Sequence, residues 1–381
     1  MACASNTEPA FTIGVEEEYL LVHPETGDLV GDVPETLMAR FDDMATGTAS
    51  PEFLRSQIEV GTRKCETVAE LGQCLRDLRR TVRDVVAEYG MAPIAASTHP
   101  FAQWDVQKTT LKDRYTALAK DYQAVARRLL IGGMHVHVGI EDPDLRIDLM
   151  NQCAYFLPHL LSLSTSSPFW RGLDTGLKSY RISVFNELPR TGLPGRFDSY
   201  ADYQRHMDII VQAGLIEDAS KIWWDLRPSA TFPTLEMRIT DICTRVEDTI
   251  ALAAVYVCIL RMLWRLRRSN QRWRIYARML VEENRWRAQR YGYDDGLVDF
   301  GVGRVVPMAD LIEELIDLTR EDQKVLGCRH EVEHLREIIR RGTSAHSQLR
   351  VYHESLAAGA TSEEALRAVV AMLREETMAG V

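Results

Sequence analysis

Charged side chains occupy every second position of several short segments that otherwise have the composition of β-strands. In RSQIEVGT, Gln57 and Glu59 fall on one face, while Ile58 and Val60 take the other. Because successive side chains of a strand point to opposite faces, such a segment has one face for a core and one face for charge. This alternation constrains the fold more than any other feature, because it predicts a sheet whose apolar side rests on helices and whose other side is charged.

Four further segments share this pattern. A solvent-facing sheet accounts for any one of them, but glutamate, histidine and arginine together are an unusual set for strands without a function. The five segments therefore predict one charged sheet face. Besides Glu59, its members are Glu16 and Glu18 in FTIGVEEEYLLV, His135 and His137 in MHVHVGI, Arg181 in KSYRISVF, and Glu236 and Arg238 in TLEMRIT.

The overall composition excludes several classes of protein. A net charge of -10 and a pI near 5.6 argue against non-specific binding to nucleic acid, which requires a basic surface. The longest apolar run, at 250–260, is shorter than the ~20 residues of a membrane helix and predicts a buried core helix. Seven cysteines without a C-x-x-C pair, and an N-terminus without a signal sequence, favour a reducing cytoplasm. We expect a cytoplasmic protein with neither a nucleic-acid nor a membrane partner.

Helical periodicity dominates the last third of the chain. Capping boxes at Thr67 with Glu70 and at Thr361 with Glu364 mark two helix starts, and further helices are predicted over about 142–163, 199–214, 245–268, 273–291 and 307–341. Since no linker or internal repeat is visible, we expect one catalytic domain over 10–380. Its sheet-forming core covers about 10–245, and its mostly helical part covers about 246–380.

A face that carries several carboxylates and a histidine repels itself unless cations lie between the side chains. Oxygen-rich ligands of this kind predict two or three Mg²⁺ or Mn²⁺ ions. Magnesium held by a few carboxylates usually also binds phosphate oxygens, which points to a nucleotide substrate. Neither a Walker motif nor G-x-G-x-x-G follows a strand, so phosphate binding by metals on a sheet fits better than a phosphate loop.

Nine segments spread along the chain resemble, in the same order, segments of the glutamate–cysteine ligase-like carboxylate–amine ligases, which are relatives of glutamine synthetase. The resemblance implies an α+β fold, with a curved, largely antiparallel sheet flanked by helices like the glutamine synthetase catalytic domain. It also implies that ATP phosphorylates a carboxylate, typically that of glutamate, before the amine of cysteine or of another substrate attacks. A homodimer is expected on the same basis. The segments are GVEEEYLL, IEVGT, STHPFA, GMHVHVG, SPFWRGLDTG, WWDLRPS, PTLEMRITDIC, ENRWRAQRYG and RGTSAHSQL.

The resemblance also assigns roles to residues. It implies catalytic roles for Arg238 and Glu59 and a supporting position behind the metal ligands for His137. The alternation of the strand itself predicts that the side chain of Glu17 points away from those of its neighbours. The implied metal ligands are Glu16, Glu18, Glu59, His135 and Glu236. The implied nucleotide or substrate contacts are Arg181, Trp224, Arg227, Arg238, Arg285 and Arg290.

Two other functions remain open at this stage. HEVEH, from His330 to His334, matches the zinc-peptidase pattern H-E-x-x-H, and His135 with His137 could also bind zinc on a strand, so a zinc-dependent hydrolase is the first alternative. The second alternative is a non-catalytic binding protein that has kept a ligase fold.

Overall fold

A seven-stranded antiparallel sheet is the central element of the computed structural model, which describes residues 7–34, 36–41, 46–110 and 113–381. Cys3 lies outside the described residues. The order across the sheet is β6-β7-β5-β1-β3-β2, and β4 pairs with the C-terminal end of β1. The strands are β1 (Ile13–Val22), β2 (Gly47–Pro51), β3 (Gln57–Thr62), β4 (Ala92–Ile94), β5 (Met134–Gly139), β6 (Leu226–Pro228) and β7 (Thr234–Met237).

Helices and short strand pairs surround this sheet. The short pairs are Phe169–Trp170 with Leu173–Asp174, Thr191–Gly192 with Trp223–Trp224, and Leu297–Asp299 with Arg304–Val306. The helices are α1 (Thr36–Ala39), α2 (Val68–Ala87), α3 (Asp113–Arg127), α4 (Pro143–Cys153), α5 (Leu157–Ser164), α6 (Arg181–Phe185), α7 (Tyr200–Gln212), α8 (Val246–Arg268), α9 (Arg278–Tyr291), α10 (Met308–Leu318), α11 (Arg320–Leu326), α12 (Arg329–Glu333), α13 (Leu335–Arg341), α14 (Ser344–Ala357) and α15 (Ser362–Thr377).

The apolar face of the sheet packs on α2 and α8. Ile58 and Val60 of β3 and Val136 of β5 are buried in one cluster with the apolar sides of both helices. By length and composition alone α8 could cross a membrane, but 89% of its most apolar stretch is buried inside the protein, as the prediction of a buried core helix requires. The α+β class with a largely antiparallel sheet is thus confirmed.

A second apolar cluster covers the other face of the sheet at one end. On that face of β1, Glu16 and Glu18 are followed by Leu20 and Val22, which pack with α15 and with the segment around Phe169. We call this face, which lies opposite α2 and α8, the upper face of the sheet. Along β1 it is charged at Glu16 and Glu18 and apolar at Leu20 and Val22.

Two predictions of secondary structure are wrong in detail. Arg181 does not lie on a strand, because residues 181–185 form the short helix α6. Its alternation covers only five residues, which is too short to separate a strand from one helical turn. The helix predicted over 307–341 is four helices, α10 to α13, and Gly327 ends α11 with φ +66°, a left-handed conformation that suits glycine.

Candidate active site

Strand register brings the predicted carboxylates and histidines together on the upper face of the sheet. Glu18 of β1 lies opposite Glu59 of β3, Glu16 lies opposite His135 of β5, and His137 lies opposite Glu236 of β7. These side chains form the floor of a cavity of about 460 Å³. The charged face that the alternation predicts therefore exists, and it lines the cavity.

Three groups of metal-ligand atoms follow one another across this floor. In each group, the ligand atoms of three side chains lie within 4.8 Å of one another. Glu16 belongs to the first two groups and Glu59 to the last two, so one continuous row of ligands crosses the four strands β7, β5, β1 and β3. The groups are Glu16 with His137 and Glu236, Glu16 with Glu59 and His135, and Glu18 with Glu52 and Glu59.

Histidines hold the carboxylate at the centre of this row. His135 Nδ1 lies 3.0 Å from one oxygen of Glu16, and His137 Nε2 lies 3.5 Å from the other. Burial alone would raise the pKa of Glu16, but both histidines outweigh it and hold the pKa well below its usual range. Burial, assisted by Arg238, lowers the pKa of His135 to about 4, so its imidazole is neutral at pH 7 and suited to metal binding.

The two carboxyls at the other end of the row have raised pKa values. Burial and the neighbouring Glu52 raise the pKa of Glu18 to about 8, against the opposing charges of Arg181 and Arg238. Burial and three nearby carboxylates also raise the pKa of Glu59 well above its usual range. Both groups disfavour further negative charge in the absence of a cation, as expected of ligands for divalent ions.

The donor set fits a hard divalent metal. Carboxylate oxygens outnumber imidazole nitrogens, which favours Mg²⁺ or Mn²⁺ over a softer ion. His137 Nδ1 lies 3.0 Å from Thr234 Oγ1, which fixes the ring, whereas its buried Nε2 has no hydrogen-bond partner. His137 belongs to the first ligand group, so it can act as a ligand and not only as support behind the ligands.

Two arginines meet at the Glu236 end of the cavity. Arg227 donates to both oxygens of Glu236, at 2.9 and 3.1 Å, and Arg238 donates to the same carboxylate and approaches His135 Nδ1 at 3.4 Å. Burial alone would raise the pKa of Glu236, but these two guanidinium groups hold it well below its usual range. The end of the row with Glu236 is thus rich in fixed positive charge.

Arg181 reaches the cavity from α6 rather than from a strand. Its guanidinium donates to the backbone oxygens of Arg238 at 3.2 Å and Ile239 at 3.4 Å, and its side chain is 3% exposed. A Cβ added at Gly133 would lie 2.4 Å from Arg181 Nη2, so glycine is required for this close approach. The same Gly133 donates its N–H to Glu18 at 2.7 Å.

Three predicted contact residues do not line the cavity. Arg285 is buried in an ion pair with Asp225, at 2.6 Å, because the charge of that aspartate needs a partner in the interior. Arg290 donates to the backbone oxygen of Gly176 on the outside of α9, and the half-buried Trp224 packs on Phe197 at the edge of the core. The structure supports none of the three as a nucleotide or substrate contact.

Several residues that line the cavity were not predicted from the sequence. Trp223, the neighbour of Trp224, faces the cavity together with Lys221. Glu52 completes the third ligand group just after β2. Glu52 could not be predicted from the alternation, because β2, the strand that precedes it, does not alternate charged and apolar residues.

Glu17 points to the other side of β1, as expected. Its carboxylate is buried against Arg79 and Thr249 in the core, so it takes no part in the cavity.

The HEVEH segment shows no metal site. His330 is exposed at α12, and His334 Nε2 lies 2.8 Å from Asp248. Among the described residues, groups of three possible ligands occur only on the sheet floor.

Solved structures share this fold. Glutamate–cysteine ligase from Francisella tularensis, solved in complex with AMP, superposes with a TM-score of 0.68 at 12% identity, over 98% of this chain and 90% of that chain. The bifunctional glutathione synthetase from Pasteurella multocida gives a TM-score of 0.66 at 14% identity, over 96% of this chain and 52% of that chain. The shared fold thus defines a class of α+β proteins built around an antiparallel sheet.

Sequence comparison identifies the family within this class. The model of glutamate–cysteine ligase family 2 matches residues 12–372. A Rhodospirillum rubrum protein named "Putative glutamate--cysteine ligase 2" is 63% identical over 98% of this chain and 97% of its own length. A protein of the same name from Jannaschia sp. is 54% identical over 96% of both. The chain belongs to glutamate–cysteine ligase family 2 and is an ATP-dependent carboxylate–amine ligase.

Proposed function

We propose that this enzyme phosphorylates the side-chain carboxylate of glutamate with ATP and joins the resulting acyl phosphate to a primary amine. The observation that carries the proposal is the row of three ligand groups that share Glu16 and Glu59 along one cavity floor. Magnesium bound there would neutralise and orient the phosphate oxygens of the nucleotide. We infer two or three such ions.

The chain's own residues supply the remaining charge stabilisation. Arg227 and Arg238 place two guanidinium groups beside Glu236, within reach of a phosphoryl group held over the floor. Because a phosphoryl group in transfer carries charge on its peripheral oxygens, fixed cations at this position favour the transition state. His135 and His137 position Glu16 in the middle of the row. Arg181, fixed against Gly133, stabilises negative charge near Glu18.

The second step requires only the amine. Its nitrogen attacks the acyl carbon, the carbon–nitrogen bond forms, and the bond to the phosphate oxygen breaks with its electron pair leaving on phosphate. One proton of the amine leaves with that phosphate, so the products are the amide, ADP and inorganic phosphate. Cysteine is the amine that the family name suggests, and cysteine is therefore the reference substrate for any test. A cytoplasmic homodimer is part of the same proposal and rests on the resemblance and the cysteine content alone.

Isotope transfer tests the order of these events. Glutamate labelled with ¹⁸O in its side-chain carboxylate is incubated with the enzyme, Mg²⁺, ATP and an amine, and the products are analysed by mass spectrometry. We expect ADP, an amide and inorganic phosphate that carries one ¹⁸O atom. Formation of AMP and pyrophosphate, or phosphate without label, would contradict an acyl phosphate. ATP-independent hydrolysis by a zinc-containing preparation would contradict a ligase altogether.

A further inference from the structure

A second cavity, of about 300 Å³, lies between the C-terminal end of α4, residues 193–196 and the start of α9. None of the described residues that line it also lines the cavity of the candidate active site. An apolar cavity of roughly 150 Å³ holds a benzene ring, so the second cavity has room for one ring with a charged group attached. It is therefore a separate site of the size that a small molecule needs.

The walls of this second cavity are largely apolar. Leu193, Pro194 and Val281 are buried and form one part of the lining. Tyr155 and Tyr276 are half-buried and add two aromatic rings, whose centroids lie 5.5 Å apart at an angle of 33°. The second cavity thus offers the apolar and aromatic surface that the body of a small organic ligand requires.

The two amide side chains in the wall are already engaged. Asn151 donates to the backbone oxygen of Phe197 at 2.7 Å and accepts from the N–H of the same residue at 3.3 Å. Gln152 accepts from the N–H of Trp273 at 2.8 Å and donates to the backbone oxygen of Asp148 at 3.4 Å. Because both amides hold the wall together, the charged residues decide which ligand the second cavity favours.

The described residues that line the second cavity include three arginines and no carboxylate. Arg278 is paired with Glu282, which lies outside the lining, at 2.6 Å. Arg274 stacks over the ring of Tyr276 at 5.2 Å and has no ion-pair partner among the described residues. Arg196 has neither a hydrogen bond nor an ion pair with any of them. Two guanidinium groups are thus available for a negatively charged group, which arginine binds through paired hydrogen bonds.

Neighbouring carboxylates do not cancel this charge. An adjoining cavity of about 560 Å³ is lined by Asp144, Asp148 and Asp198. Arg272 and Arg267 pair with Asp148, at 3.1 and 3.7 Å. Counted together, the described residues that line the two cavities include five arginines and three aspartates. The charge around the second cavity is therefore positive, although the chain carries a net charge of -10.

The second cavity and the candidate active site share one structural element. Residues 193–196 follow directly on Thr191–Gly192, which pairs with Trp223–Trp224, and Trp223 faces the cavity of the candidate active site. A ligand in the second cavity therefore holds a segment next to the active site without contacting a substrate.

We propose that the second cavity binds a small organic anion, with one carboxylate or phosphate group on an aromatic or apolar body. Arg196 and Arg274 bind the charged group, and Tyr155 and Tyr276 contact the body. This site goes beyond the proposed ligase function and does not depend on the identity of the amine.

Four probes that separate charge from ring test the proposal. The full-length enzyme is saturated with Mg²⁺, glutamate and AMP-PNP, an ATP analogue that is not hydrolysed, so that its active site is filled. Binding of each probe is then measured by isothermal titration calorimetry. We expect phenyl phosphate or phenylacetate to bind at one site per chain at least about tenfold more tightly than inorganic phosphate or benzyl alcohol, because only the first two use both parts of the cavity.

The comparison also identifies the charged group, because the tighter of the two aromatic anions shows whether phosphate or carboxylate is preferred. Equal affinities of all four probes, or no saturable binding, would overturn the proposal.

Two arginine variants locate the bound anion. Arg196→Ala and Arg274→Ala should each weaken binding of the tighter probe at least about fivefold. Arg268→Ala is the matched control, because Arg268 is also exposed and stacks on an aromatic ring, that of Trp264 at 5.3 Å, but lines neither cavity. An equal loss in all three variants would show that only the net charge of the protein matters, and the proposal would be wrong.

A carboxylate built into the second cavity should compete with the ligand. Ala277 lines this cavity and directly precedes α9, a position where aspartate is among the favoured residues, so Ala277→Asp should be at least as stable as the wild type. We expect its affinity for the probe to fall at least about tenfold, because the two negative charges repel, while its Tm does not fall. An affinity equal to that of the wild type would place the bound probe elsewhere and contradict the proposal.

Discussion

Glu17 and Arg79 form a completely buried ion pair on the side of β1 that faces away from the cavity. Arg79 Nε lies 3.1 Å from one oxygen of Glu17, and Thr249 donates to the other at 2.9 Å. The same guanidinium donates to the backbone oxygens of Cys243 and Thr377, so it joins α2 to the C-terminal helix α15. Glu17 thus belongs to a structural ion pair, whereas its neighbours Glu16 and Glu18 on the same strand belong to the candidate site.

The Glu17→Gln variant should be far less stable than the Glu16→Gln variant. The first change leaves Arg79 buried without a charged partner, which costs about 3–5 kcal/mol of the free energy of unfolding. The second removes one carboxylate from a crowded acidic floor, so it should abolish turnover and leave stability near that of the wild type. Urea unfolding and amide formation measured on both variants check this pair. Equal stability of the two variants would contradict the division of roles.

Glu59→Gln and Arg238→Ala should yield folded enzymes with little activity. Both side chains line the cavity rather than the core, and each supplies charge that the reaction requires. Removal of such a group typically lowers kcat by about 10²- to 10³-fold. Circular dichroism checks the fold, and ADP release checks turnover. Arg285→Ala is the informative comparison, because it breaks the buried pair with Asp225 and should lower stability without a specific rise in the KM for ATP. Full turnover of Glu59→Gln would remove that residue from the site.

Local geometry explains how much of the site the sequence could predict. The two-residue period of β1, β3, β5 and β7 is a property of the strand itself, so it predicted Glu16, Glu59, His135 and Glu236 on one face. The choice between Trp223 and Trp224 could not be made, because their strand is two residues long and pairs only with Thr191–Gly192. Arginine residues were the least predictable. The long, flexible side chain of an arginine points towards the carboxylate that lies nearest in the folded protein. For Arg285 that carboxylate is Asp225, which lies 60 positions away in the sequence.

Mg²⁺ should stabilise the wild-type enzyme and have a much weaker effect on Glu16→Gln. Glu16 belongs to two of the three ligand groups, so its loss weakens both at once. A ligand present at 100 times its Kd raises the free energy of unfolding by about 2.7 kcal/mol per site, which is visible as a higher Tm. Glu331→Gln, in the HEVEH segment, is the matched control and should respond to Mg²⁺ like the wild type. Stoichiometric zinc that survives dialysis and is lost in His330→Ala, which removes one of the two histidines that bind zinc in the H-E-x-x-H pattern, would favour the hydrolase.

His99 should make the protein less stable in mild acid. Burial lowers its pKa to about 4, assisted by Arg367 and opposed by the bond to Gly27 and by Asp28. Its Nε2 lies 3.0 Å from the backbone oxygen of Gly27, and its Nδ1 accepts from the N–H of Ala102 at 3.0 Å, so both ring nitrogens are engaged in the neutral form. A proton on Nδ1 would break the second bond. The folded state therefore excludes a proton that the unfolded chain binds below pH ~6.5.

The sign of this effect follows from the two pKa values. Between pH ~6.5 and about 4 the unfolded chain binds one more proton at His99 than the folded protein does, so the free energy of unfolding falls as the pH falls. The loss is about 1.4 kcal/mol per pH unit and approaches ~3 kcal/mol at pH 4. His99→Gln cannot take up this proton, and its stability should fall less steeply, by about that slope. Urea unfolding of both proteins at pH 7, 6 and 5 measures the difference. Parallel losses would show that His99 does not contribute and that other groups, such as the buried His159, dominate the acid sensitivity.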